Sequence, residues 1–327
     1  MEALDKAIAW QTAEPIRVDR PGSPGHGGIL HGIDTRRGQP LGLYTEITGY
    51  AVSLFTFLLR IGRVDIQREA AMEAADYLVS IQDETGAYPH LPDPAERHGA
   101  WSAYSFDVAA CIVGLARLHG LCPGKGYLDS AALATRWLLG LQRPDGSFCA
   151  MMVKGGGLRD PGGFFGDGSC IHAKNAIALL EMHAATGREE YRQAASKVCE
   201  RTLSLQAPDG AFWSGPAARY VFSHAHAYAC EGLLYAGIVL GEQRFCDAAA
   251  QAARLFRLEG SRFGGTDHDA SRRSAIDFLL RCQDAGGGFH YRRTRFGLSP
   301  FMSTWSAQFA AQALAWDSAP ASVGDLF

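Results

Sequence analysis

Paired cysteines, long apolar runs and an excess of one charge are all missing from this sequence. Its eight cysteines (Cys111, Cys122, Cys149, Cys170, Cys199, Cys230, Cys246 and Cys282) are scattered, with no CxxC. That spacing offers no disulfide framework and reads as reduced thiols buried as small hydrophobes, with Cys170 and Cys230 to be watched. No apolar stretch approaches the ~20 residues that span a bilayer. The start, Met1-Glu-Ala-Leu-Asp-Lys6, lacks the basic end and apolar stretch of a signal peptide, so the cytoplasm is the expected compartment. A net charge of -3 gives nucleic acid or an anionic membrane surface nothing to hold.

What is present is a repeated phrase: a glutamine, three residues, a glycine, one residue, an aromatic. It occurs as Gln82-Gly86-Tyr88, Gln142-Gly146-Phe148, Gln206-Gly210-Phe212 and Gln283-Gly287-Phe289. Each copy ends an amphipathic run with one charged face, as in Glu189-Glu-Tyr-Arg-Gln-Ala-Ala-Ser-Lys-Val. Between them lie segments that start polar and aromatic and then become apolar on every face, beginning near Tyr44, Tyr104, Ser169, His224 and Ser303. Helices apolar all round are inner ones; those with a charged face are outer. Alternating inner and outer helices make αα-hairpins, and five or six of them can close an all-α (α/α) toroid. The glycine is expected to end each outer helix, the aromatic to tuck over the junction, and the glutamine to bond exposed backbone there. With 327 residues and 47% hydrophobic content, a single domain over 1–327 is expected. Residues 12–43, rich in glycine and proline, read as a loop before the first inner helix, and 317–327 as a flexible tail. Two outer-type helices, 242–258 and 271–283, follow each other with no inner one between.

The phrase resembles the repeat of the squalene-cyclase and protein-prenyltransferase superfamily, over roughly residues 45 to 316. It is also similar to the helical-barrel proteins found beside bacterial polysaccharide-biosynthesis enzymes. More distantly, the layout resembles (α/α)-barrel lyases, uronyl hydrolases and sugar epimerases. The first resemblance implies isoprenoid chemistry, but the sequence has neither a DxDD nor a DDxxD run; its nearest acidic cluster is Asp267-His-Asp269. Prenyltransferases hold zinc with an aspartate, a cysteine and a later histidine. The corresponding positions here are Asp167, Cys170 and His224, with the aspartate-to-cysteine spacing off by one. Zinc at this trio is what that resemblance implies, and no other cofactor is expected.

In a toroid the inner-helix starts face one mouth, where polar residues distant in sequence converge. Tyr44, Glu46 and Thr48 open the first, with Thr45 a candidate cap. Trp101, Tyr104 and Asp107 belong to the second; Tyr104 and Asp107 share a face, and an aspartate entering an apolar helix needs a partner or a task. His172, Lys174 and Asn175 mark the third. Lys174 suits either a partner aspartate or a substrate carboxylate or phosphate, whereas His172 alone reads as a core histidine. In the fourth, His224, Tyr228 and Glu231 share a face, while His226, two residues on from His224, lies about 200° away. The last runs from Arg292 and Arg293 to Trp305 and Gln308, either a solvated loop or guanidinium forks for carboxylate or phosphate. Two roles are therefore expected, catalysis at Glu46, Asp107, His224, Tyr228 and Glu231, and binding at Tyr44, Trp101, Tyr104, His172, Lys174, His226, Arg292, Arg293, Trp305 and Gln308.

Such a set suits acid–base chemistry on an anionic carbohydrate, a uronate-containing glycan or a sugar nucleotide, as a lyase, C5-epimerase or hydrolase. An isoprenoid enzyme and a non-catalytic glycan-binding toroid are the alternatives. The expected partner is a glycan or small molecule, with no nucleic acid and no membrane span.

Overall fold

The computed structural model describes residues 2–63, 65–93, 100–213, 220–259 and 268–318. Its helices are α1 Glu2–Thr12, α2 Thr45–Arg60, α3 Asp65–Ile81, α4 Ser105–Leu121, α5 Tyr127–Gly140, α6 Asn175–Thr186, α7 Glu189–Leu203, α8 Ser223–Leu240, α9 Gln243–Glu259, α10 His268–Cys282 and α11 Thr304–Ser318. Short strands accompany them: β1 Gly32–Asp34, β2 Gln39–Pro40, β3 Ser102–Tyr104, β4 Met151–Val153, β5 Gly157–Arg159, β6 Arg293–Thr294, β7 Gly297–Leu298 and β8 Phe301–Ser303. Two compact units result, one of α1 to α3 with α10 and α11, the other of residues 82–90 with α4 to α9.

Inner and outer helices differ in burial as their sequences require. Every residue of α4 from Ser105 to Leu118 is buried, so each position must be apolar or individually partnered. In α7 only Tyr191, Ala194, Ala195, Val198, Cys199 and Thr202 are buried, the spacing of one helix face. Fully burying a leucine or phenylalanine contributes about 1.5–3 kcal/mol. Hairpin turns are short: α6 gives way to α7 through Gly187, whose φ of 70° is left-handed.

The glutamine phrase forms a corner that clips one outer helix end onto another helix. Gln82 Nε2 donates to the Gly86 carbonyl at 2.9 Å and to that of Ser130 on α5 at 2.9 Å. Gln142 reaches Gly146 and, on α7, Ala194; Gln206 reaches Gly210 and, on α9, Ala248. Gln283 reaches Gly287 and, on α1, Ala3. Each phrase glycine has φ between 86° and 100°. A Cβ on it would overlap the carbonyl of Leu133, Lys197, Gln251 or Lys6 respectively, three residues beyond the carbonyl its glutamine holds. The aromatics Tyr88, Phe148, Phe212 and Phe289 are at most 1% exposed. Contrary to the expectation from sequence, these glycines do not end the helices. The helices stop just before the glutamine, and the glycine permits backbone-to-backbone approach further on.

A fifth corner lies in the glycine- and proline-rich 12–43 segment, which proves to be more than a loop. Val18 N bonds Gly28 O and Gly27 N bonds Val18 O, repeating the Asp83–Ala87 and Gly86–Asp83 bonds of the first phrase. Gly27, with φ 84°, seats on the Glu73 carbonyl of α3. Arg17 stands where the glutamine would be, bonding the Glu73 carboxylate, and Asp19 at 3.0 Å. The same segment adds β1 and β2 to a sheet ordered β2-β1-β8, with Ile33 opposite Met302. A second sheet is β3-β4-β5, and β6 pairs with β7. β3 runs straight into α4 and β8 into α11, so these strands aim the inner-helix starts.

The two outer-type helices expected at 242–258 and 271–283 are α9 and α10; residues 260–267, with Asp267, lie outside the described residues. Of the expected tail, 317–318 belong to α11 and the remainder lies outside the described residues. Thr45 is not a cap: Tyr44 is the N-cap of α2 and Thr45 is already helical, with no side-chain capping bond.

Candidate active site

In the second unit, β3 delivers Tyr104 to the N-terminus of α4, and Asp107 occupies that helix's first turn. The helix dipole favours a negative charge there, yet Asp107 is only 5% exposed. Its partner is His90, just beyond the first glutamine phrase: His90 Nδ1 lies 2.6 Å from Asp107 Oδ2. His90 is itself fixed by its backbone N–H on the Ser102 carbonyl, and its ring packs on Tyr104 with centroids 4.7 Å apart. A carboxylate accepting from Nδ1–H leaves Nε2 as the basic nitrogen of the ring. Burial, then the Asp107 charge, pushes the Tyr104 phenol up from its ordinary value, so Tyr104 serves as a neutral phenol. Trp101 lies half-buried on the same approach, with Lys154 Nζ 5.8 Å from its ring centroid and paired to Glu84.

The starts of α4, α6 and α8 meet around Tyr228. Its ring lies 5.1 Å from that of Phe106, the residue before Asp107. Lys174 Nζ stands 4.2 Å above it and 2.6 Å from Glu231 Oε2. This approach depends on Gly232, where any Cβ would overlap the Ala173 carbonyl. His224 shares the Tyr228 face, as its spacing predicts, at 6.1 Å. Phe164 and Phe222 enclose it, and burial lowers its basicity. The acid that Lys174 meets is thus a glutamate of the neighbouring inner helix, not the aspartate expected from the sequence.

The first unit gathers its own set. The Tyr44 ring lies 5.4 Å from His31, and His31 5.2 Å from Phe301. Glu46, 3% exposed, follows in the first turn of α2, and Trp305 is half-buried at the start of α11. Arg292 and Arg293 are exposed on the β6–β7 hairpin.

Four expectations are corrected. His226 binds no substrate: it is 1% exposed, Nδ1 accepts from Phe212 N–H and Nε2 contacts the Ala252 carbonyl, so it ties a corner to α9. Gln308 is a clamp, donating to the Ile47 carbonyl at 2.9 Å within the core. The zinc trio does not assemble. Asp167 accepts from Arg143 and the Ala150 N–H, Cys170 points at the Ala225 carbonyl, and His224 sits among phenylalanines. Burial pushes the Cys170 thiol up to about 12. His172 is a core histidine, 2% exposed, whose burial brings it down to about 4.

Two features escaped sequence reasoning. His90 follows an apolar phrase in a segment without periodicity; only its place after a repeat glycine could have marked it. Asp19, His26 and Glu73 bring one potential ligand atom each within 4.8 Å of one another, but Arg17 already bonds both acids, making this the ion-pair network of the fifth corner.

No protein-family model matches the chain, and no curated protein does either. Solved structures do. The cellobiose 2-epimerase of Bacillus thermoamylovorans B4167 is similar at TM-score 0.69 and 9% identity, over 95% of this chain and 97% of that one. A family 76 glycoside hydrolase from a bovine Bacteroides thetaiotaomicron strain gives 0.65 and 10%, over 97% and 78%. The unsaturated glucuronyl hydrolase of Bacillus sp. GL1 gives 0.55 and 17%, over 83% and 74%. At such identities the likeness establishes fold: all-α, of the α/α toroid kind. No helix among the described residues is long and apolar enough to cross a membrane.

Proposed function

We propose that this protein is an enzyme acting on a carbohydrate by acid–base proton transfer, its substrate an anionic sugar such as a uronate-containing glycan or a sugar nucleotide. The observation that carries the reading is the His90–Asp107 pair, a buried carboxylate fixing one imidazole nitrogen so that the other can take a proton. His90 Nε2 removes the proton from the carbon next to a carboxylate or carbonyl, and the electron pair moves onto that carbonyl oxygen. A proton taken from solvent on the opposite face gives the epimer, and His90 then releases its own proton to solvent; departure of a β-substituent, protonated by solvent as it leaves, gives a double bond. Lys174 is the cation shared by the neighbouring inner-helix starts and offsets the developing negative charge.

Hydrolysis by two carboxylates requires two acids available to water and leaving group. In the second unit Asp107, Asp167, Glu181 and Glu231 are held by His90, Arg143, Arg117 and Lys174, which favours proton transfer at carbon. The similar solved structures include a sugar epimerase and two glycoside-cleaving enzymes, which supports a carbohydrate substrate on this fold. Eight free cysteines suit a reducing cytoplasm.

Incubation with uronate oligosaccharides and sugar nucleotides in deuterated water tests the reading. Deuterium uptake without cleavage identifies an epimerase, and new ultraviolet absorbance a lyase. Reducing ends without either would move the chemistry to hydrolysis and remove His90 from the role of carbon base. No turnover on any sugar would sink the reading altogether.

A further inference from the structure

We propose that the first unit carries a docking track for an acidic oligosaccharide, formed by two arginine-bearing hairpins and a line of aromatic rings. The choice of a glycan rests on the function proposed above. The turn between β1 and β2 presents Arg36 and Arg37, both exposed, and the β6–β7 hairpin presents Arg292, Arg293 and Arg295. Thr35 ties the first turn to the base of the second hairpin, its N–H and hydroxyl each 2.7 Å from the Pro300 carbonyl. Among the described residues, Arg292, Arg293 and Arg295 have no carboxylate within salt-bridge distance. Asp34, the one acid paired in this patch, lies 4.0 Å from Arg37. Five arginines around a single aspartate, in a chain of net charge -3, make a local concentration of positive charge that the composition does not predict.

Apolar surface accompanies the charge. Phe296 at the hairpin tip is 86% exposed and Tyr291 at its base 55%. From Tyr291 the rings continue inward: Phe301 at 5.8 Å, then His31 at 5.2 Å, then Tyr44 at 5.4 Å, where α2 begins and Glu46 is buried one residue past Thr45. Phe301, His31 and Tyr44 are each half-buried. Guanidinium forks match carboxylates in pairs, and flat rings accept the apolar faces of sugars. An anionic bilayer would engage the tip and its arginines but has no use for rings leading inward, which is why a uronate chain is the better occupant.

The test uses the full chain and a fluorescently labelled hexamer of a uronic acid, with a neutral hexamannose, phosphatidylserine vesicles and a single-stranded oligonucleotide as comparison arms. The uronate hexamer is expected to bind more tightly than hexamannose, and more weakly as salt rises. The triple variant Arg292→Gln, Arg293→Gln, Arg295→Gln should weaken uronate binding about tenfold at an unchanged melting temperature, since three exposed ion pairs are lost. Tyr291→Ala should weaken it as well, while His90→Gln should leave it unchanged. Equal affinity of wild type and triple variant overturns the track, as does arginine-dependent capture of vesicles or oligonucleotide without uronate binding. If the track fails while His90→Gln still abolishes turnover, the proposed function stands. Arginine-dependent uronate binding by a protein that turns over no sugar would uphold the track and remove the enzyme.

Discussion

At His90, three neighbours divide the work: the Ser102 carbonyl fixes the backbone, Tyr104 the ring plane and Asp107 the nitrogen. His90→Gln is therefore expected to lower kcat/KM by roughly 10²–10⁴, the range for a positioned general base. Asp107→Asn should lower it too, because an amide can present an N–H to Nδ1 and favour the wrong tautomer. Steady-state kinetics on both variants with folding verified by circular dichroism checks this, and unaltered kcat in either would remove the pair from the mechanism. His172 gives a stability prediction. Its folded value of about 4 lies below the ordinary 6.5 because burial disfavours the charged ring. Below pH 6.5 the unfolded chain thus binds the proton more readily, and stability falls progressively towards pH 4, by on the order of 3 kcal/mol from this residue. In His172→Gln the melting temperature should depend less steeply on pH across that window, whatever its value at pH 7. Residue identities were legible where chemistry conflicts with surroundings. Asp107 and Lys174 declare themselves as charges in apolar helices, and both have partners. His90 conflicts with nothing nearby, and the second histidine of His224-Ala-His226 looks like a ligand until the helix turns it to the Ala252 carbonyl.

Among elements, the corner is the unit that decides the fold. A glycine in the left-handed region costs about 1 kcal/mol to replace where space is free, but more where a carbonyl lies in the way. Gly187→Ala, with nothing within 4 Å of the new methyl, should cost about 1 kcal/mol. Gly146→Ala, facing the Lys197 carbonyl, should cost about 2–5 kcal/mol, combining the same strain with overpacking. Chemical denaturation of the two variants separates these cases, and equal losses would mean that the corner has room to give. The inner helices were predictable from runs apolar on every face, the outer ones from their single charged face, and the corners from the invariant spacing. The fifth corner was hidden because ten positions, not four, separate Arg17 from Gly27 and an arginine replaces the glutamine. The short strands were equally invisible, since two or three residues carry no period.

For the molecule as a whole, α1 has a role far from its neighbours in sequence. It supplies the Ala3 and Lys6 carbonyls to the Gln283 corner, and its Gln11 donates to the Ala307 carbonyl of α11. A variant lacking residues 2–12 should lose at least about 3 kcal/mol through Leu4 and Ile8 alone. Its denaturation midpoint should fall accordingly, and an unaltered midpoint would show that the corner closes without its receiver. The α9-to-α10 irregularity was already visible in the sequence as two amphipathic runs in succession. The all-α class was legible for the same reason, whereas the chemistry was not, because it depends on side chains such as His90 that only folding brings to a helix start. One property of the corners reaches beyond stability. What all four glutamine corners take from the receiving helix is a pair of peptide carbonyls, which every amino acid carries; the first also takes the Ser130 hydroxyl and the third the Gln251 amide. Mutation can therefore rewrite most of the receiver's side chains without unlocking the joint, which leaves the sequence of an outer helix few positions that the corner dictates.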